Sequence, residues 1–151
     1  MVSPHRSLVL LGLVGTLMSM TSSAIAAPSE TCVPLKEVTT DTTEIRKQVQ
    51  KTLISGNNNW NTDFAVPPGT TFRSYRAVFT PENDAAYEVS IILKYNNGTS
   101  DTAYTRNVPL QRNKIYTLPF QSATLRQPVQ VNMRVGGANN NAYRVSVQAC
   151  L

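Results

Sequence analysis

Residues 86–95, AYEVSIILKY, alternate apolar and polar side chains along their whole length. Tyr87, Val89, Ile91, Leu93 and Tyr95 fall on one side of an extended chain. Glu88, Ser90 and Lys94 fall on the other, with Ile92 the apolar exception. A period of two fits a strand with one buried face and conflicts with the 3.6-residue period of a helix. PVQVNMRV (128–135) repeats the pattern, with Val129, Val131, Met133 and Val135 opposite Gln130, Asn132 and Arg134. So does AYRVSVQAC (142–150), with Tyr143, Val145 and Val147 opposite Arg144, Ser146 and Gln148. Less regular strands are predicted over 61–66, 70–79, 102–108 and 115–121.

Turn residues separate these runs. Pro67-Pro68-Gly69 interrupts pairing, Asn97-Gly98 suits a tight hairpin, and Gly136-Gly137 with Asn139–Asn141 marks a further turn. Half-polar strands at short spacing predict a mainly β chain, an antiparallel β-sandwich or jelly-roll-like single domain. Residues 38–54 carry two signals. Asp41 and Glu44 have capping-box spacing, Ile45, Val49 and Leu53 recur every four residues, and Gly56 could close a short helix. The same stretch also alternates and is rich in threonine, which favours a strand.

The N-terminus has a different composition. His5 and Arg6 precede the apolar run Leu8–Met20, and Ala24-Ile25-Ala26 supplies small residues for signal peptidase. This run is too short for a stable membrane span, so residues 1–26 are expected to be a cleaved Sec signal peptide. The remaining 125 residues, 27–151, make one domain. Export places the chain in the periplasm or outside the cell. There its two cysteines, Cys32 and Cys150, are expected to form a disulfide.

Composition narrows the chemistry. The only histidine, His5, leaves with the signal, which removes histidine acid–base chemistry, Ser-His-Asp and Cys-His machinery, and histidine metal sites. No phosphate-binding loop or dinucleotide fingerprint is present. Of the carboxylates, Glu82 and Asp84 share a loop, with Asp63 or Glu88 as partners for a glycosidase-like pair, but no motif supports catalysis. After the signal is removed, Lys plus Arg falls from 14 to 13 against 9 acidic groups. The basic residues are scattered, which does not suit a nucleic-acid binder. Asn57, Asn59, Asn61 and Asp63 alternate like the ligands of a calcium loop, but Pro68 stands where its last acidic ligand belongs. No other cofactor is indicated.

Strands running up and down a sandwich would bring the loops at 55–61, 81–85, 109–114 and 136–141 to one end. That end collects Asn57, Asn58, Asn59, Trp60, Glu82, Asp84, Arg112, Asn139, Asn140 and Asn141. Amides, carboxylates and a guanidinium suit the hydroxyls of a glycan, and loops on a rigid scaffold are common binding sites. Asparagine is also favoured in turns for its own backbone geometry. Trp60 has the parity of Phe64, which predicts an indole on the core side rather than a ligand platform. The outward strand faces offer no aromatic ring, and Arg134, Asn132, Gln130, Arg144 and Gln148 make a polar surface suited to an anionic polymer. The expected function is an exported, non-catalytic domain that binds a glycan or anionic envelope polymer through the Asn-rich loops. The alternative is a structural or assembly protein that binds an envelope protein through a sheet edge or polar face. Asn97-Gly98-Thr99 is a glycosylation acceptor sequence in a host that glycosylates.

Overall fold

The computed structural model describes residues 30–52, 56–58 and 60–151, so the proposed signal peptide lies outside the described residues. All the regular structure among them is β. The strands are β1 (Cys32–Pro34), β2 (Lys36–Glu37), β3 (Glu44–Gln48), β4 (Gln50–Thr52), β5 (Gly56–Asn58) and β6 (Asn61–Ala65). They continue with β7 (Ser74–Pro81), β8 (Ala85–Lys94), β9 (Ser100–Leu110), β10 (Tyr116–Phe120), β11 (Gln130–Gly137) and β12 (Ala142–Cys150).

Two antiparallel five-stranded sheets face each other. In sheet A, β12 pairs on one side with β1 and β3, and on the other with β7, which carries β10 at its far edge. Sheet B runs β2-β6-β11-β8-β9. A hairpin of β4 and β5 stands apart. The sandwich expected from alternation is the one found, and the described part of residues 38–54 is a turn followed by strands β3 and β4. Asp41 sits in a turn at φ 58°, a left-handed conformation that opens no helix.

The inward residues of both sheets form a single core. Tyr87, Val89, Ile91 and Leu93 of β8 meet Val131, Met133 and Val135 of β11 and Phe64 of β6; Phe79 of β7 and Tyr143, Val145 and Val147 of β12 face them. Phe79 stacks on Tyr143 at 5.1 Å between ring centroids and meets Tyr87 edge-on at 5.4 Å. The disulfide joins Cys32 to Cys150, paired residues of β1 and β12.

Two expectations fail where strands end. Val129, assigned to the core side, is 46% exposed. It precedes the first laddered residue of β11, its N–H bonds to the Lys94 carbonyl, and it lines a hollow together with Gln130 and Asn132 on the outer face of sheet B. Gly136 and Gly137 belong to β11 rather than to the turn, which spans Ala138–Asn141. A Cβ on Gly137 would stand 2.8 Å from the Ala86 carbonyl oxygen, so the strands close only with glycine there.

Candidate functional site

The expected loop end is assembled, but its polar groups hold the loops to one another. Asn83 Oδ1 accepts from Ala142 N–H at 2.7 Å, and Asp84 Oδ1 from Arg112 N–H at 2.6 Å. Asn139 Oδ1 accepts from Lys51 N–H at 3.0 Å, and Asn141 Nδ2 donates to the Ala86 carbonyl at 3.2 Å. Asn140 turns the chain at φ 71° and donates its N–H to the Val49 carbonyl at 2.8 Å. Glu82 takes both Nε and an Nη of Arg46. Asn57 and Asn58 belong to β5, whose backbone pairs with β4; Asn59 lies outside the described residues. The Asn83, Asp84, Asn139 and Asn141 side chains perform the turn chemistry for which Asn and Asp are favoured.

Trp60 is buried with the core, as its parity predicts, but its ring also borders the outer face of sheet B. Gly136 pairs with Glu88 and Arg134 with Ser90, all on the outer face of sheet B. The indole Cζ3 and Cη2 lie 3.1 and 3.3 Å from where a Cβ on Gly136 would stand, and the Arg134 guanidinium sits 5.5 Å from the ring centroid. The ring therefore reaches the outer face while it also touches the core, and it is 9% exposed. Trp60 comes one residue before β6. Gly136 provides the space the indole occupies.

Beside Trp60 lies a hollow of about 360 Å³, lined by Glu88, Ser90, Thr105, Asn107, Arg134 and Gly136 among others. Further along the same face, Asn61, Asp63, Lys94, Ser100, Gln130 and Asn132 line a second, of about 660 Å³. Gly136, Arg134, Asn132 and Gln130 are successive outward residues of β11, so the two hollows follow one another along the strand. From 136 to 130 the strand rises about 20 Å. Midway, Asp63 Oδ1 holds Lys94 Nζ at 2.7 Å and Asn132 Nδ2 at 2.8 Å, and Ser90 and Thr105 hydroxyls are 2.9 Å apart. Tyr95 closes the far end, buried beneath the Arg126 guanidinium at 4.3 Å from its ring centroid.

The outer face of sheet A differs. Its charges neutralise each other: Arg46 with Glu82 at 2.7 Å, Arg76 with Glu30 at 2.7 Å, and Arg144 within 3.8 Å of Glu44 and Glu82. The five-residue polar surface read from the sequence is thereby divided. Arg134, Asn132 and Gln130 belong to sheet B, while Arg144 and Gln148 lie on sheet A across the core. Among the described residues Arg134 and Glu88 have no ionic partner and border the Trp60 hollow. Asp63, the one carboxylate of the calcium-like stretch, is occupied by the Lys94 ammonium. The one cluster of potential metal ligands among the described residues, Glu30, Cys32 and Cys150, contains the disulfide sulfurs.

No family model matches the sequence, and no curated protein sequence matches it. Solved structures of family 29 carbohydrate-binding modules are similar in fold. A point mutant superposes with a TM-score of 0.49 at 10% identity, over 80% of this chain and 91% of that one. A mutant complexed with cellulohexaose gives 0.49 at 11% identity over the same shares of the two chains. Another, complexed with mannohexaose, gives 0.44 at 9% over 80% and 92%.

Proposed function

We propose that this protein is a non-catalytic carbohydrate-binding domain that takes a glycan chain along the outer face of sheet B. The observation that carries this reading is the pair of consecutive hollows on β11 and β8, lined by fixed donors and acceptors and bordered by Trp60. A glycan presents hydroxyls at regular intervals with apolar ring faces between them. Asn132, Asp63, Gln130, Ser90 and Thr105 offer partners for the hydroxyls. The Trp60 edge and Ile92 offer apolar surface between them.

Side chains already held by their neighbours lose little rotamer freedom when a ligand arrives, so binding is pre-organised. The Asn-rich end braces this sheet but does not itself contact the glycan. Work outside the cytoplasm agrees with the disulfide and with the signal-like residues 1–26.

The test is retardation of the protein in native gels cast with a panel of soluble polysaccharides. Asn132→Ala and Arg134→Ala should each weaken the retarding interaction roughly tenfold. Asn139→Ala, at the loop end, should leave it unchanged. Binding that survives both sheet substitutions but is lost with Asn139→Ala would return the site to the loops.

A further inference from the structure

On the side of the sandwich formed by β9 and β10 the two sheets are not joined. β9 is the last strand of sheet B and β10 the last of sheet A. Between them opens a slot of about 280 Å³. Phe79 and Val89, both fully buried, form its floor; Tyr104, Val108 and Leu110 of β9 and Tyr116 and Leu118 of β10 line its walls. These are apolar surfaces from end to end. A dry engineered cavity of roughly 150 Å³ with comparable lining takes up benzene. This slot is larger, and it is open.

Its shape and its rim indicate the ligand. The lining follows β9 from Tyr104 to Leu110, a rise of about 20 Å, so the slot is long rather than round. At the Leu110 end stands Lys114, which has no carboxylate partner among the described residues and whose Nζ is 5.5 Å from the Tyr116 ring centroid. The Tyr116 hydroxyl is fixed by accepting from Gln111 N–H at 2.9 Å, which holds that wall in place.

We infer that the slot between β9 and β10 binds a medium-chain fatty acid, the alkyl chain lying against Phe79, Val89 and Leu118 and the carboxylate meeting Lys114. A second copy of the chain fits less well. Pro109 on β9 and Pro119 on β10 remove backbone donors from the two edges, and β9 is irregular where it passes Ile91 and Ile92 of its partner.

Calorimetric titration of the protein with decanoate and with decanol tests this. One equivalent of each should bind with a negative heat-capacity change. Lys114→Glu should weaken decanoate about fivefold or more while decanol is unaffected. Leu118→Trp, which fills the slot, should abolish both; if that variant does not fold, Val108→Trp from the other wall serves the same purpose. Absence of binding by either ligand overturns the inference, as does decanoate affinity indifferent to Lys114→Glu. A concentration-dependent dimer in sedimentation that Leu118→Trp disrupts would overturn it too, because a second copy would then be the occupant.

Discussion

The buried hydroxyl of Tyr143 faces Thr62 without a well-formed hydrogen bond among the described residues, and the Tyr75 hydroxyl stands likewise beside Gln127. A buried donor without a partner loses its bonds to water and gains none in return. Burial also pushes both phenols above their ordinary range, Tyr75 to about 12. The unfolded chain therefore releases these protons first as pH rises above 10. Their contribution is fully present below that pH and is lost above it. We expect Tyr143→Phe to leave stability at pH 7 unchanged or to raise it by about 1 kcal/mol. The same substitution should delay alkaline unfolding, as urea titrations at pH 7 and pH 11 will show. A loss at pH 7 would mean that the hydroxyl makes a bond in solution. Trp60 teaches a related lesson at this scale. Its type and parity were legible in the sequence, but its direction depends on the missing side chain of Gly136, a residue distant in the chain.

Among the elements, the turn between β2 and β3 depends on one carboxylate. Glu37 Oε2 accepts from Thr39 N–H at 3.0 Å, Thr40 N–H at 2.7 Å and the Thr40 hydroxyl at 2.9 Å. Burial acts to raise its pKa, but the bonds from Thr40 and Thr39 outweigh it and hold the group below 4.5. Such a carboxylate contributes stability above its unfolded pKa and loses it as pH falls through the folded value. Glu37→Gln should therefore flatten the fall in melting temperature between about pH 5 and pH 3, measured by circular dichroism. An unchanged slope would assign acid sensitivity elsewhere. Alternation made the long strands legible because a half-buried strand must repeat every two residues. It failed at the strand end at Val129, which is 46% exposed although its backbone bonds to Lys94 and Val66. It also failed at Gly136-Gly137, where glycines that read as a turn serve close strand packing.

At the scale of the molecule, Cys32 and Cys150 fasten the first described strand to the last across a separation of 118 residues. Closing a loop of that length stabilises by roughly 4–5 kcal/mol in the chain-entropy model. Replacing both cysteines by serine should lower unfolding free energy by up to about that amount, read from denaturant midpoints. A change of only a few tenths would show that the β1–β12 pairing alone closes the fold. The pairing was legible because two cysteines in one chain allow a single intramolecular pairing. The assignment of polar strand faces to opposite sides of the core was not. Arg134 and Arg144 have the same local pattern, and only the strand order puts one over a hollow and the other in an ion-pair cluster. The proposed binding face thus follows from topology, and it is open to direct measurement through the single tryptophan. Fluorescence of Trp60 should be titrated with a soluble oligosaccharide of whichever polysaccharide retards the protein. We expect blue-shifted emission in the free protein, a saturable change on binding, and loss of that change in Arg134→Ala. Binding that leaves Trp60 emission unaltered, with undiminished affinity in Arg134→Ala, would contradict a glycan site on sheet B.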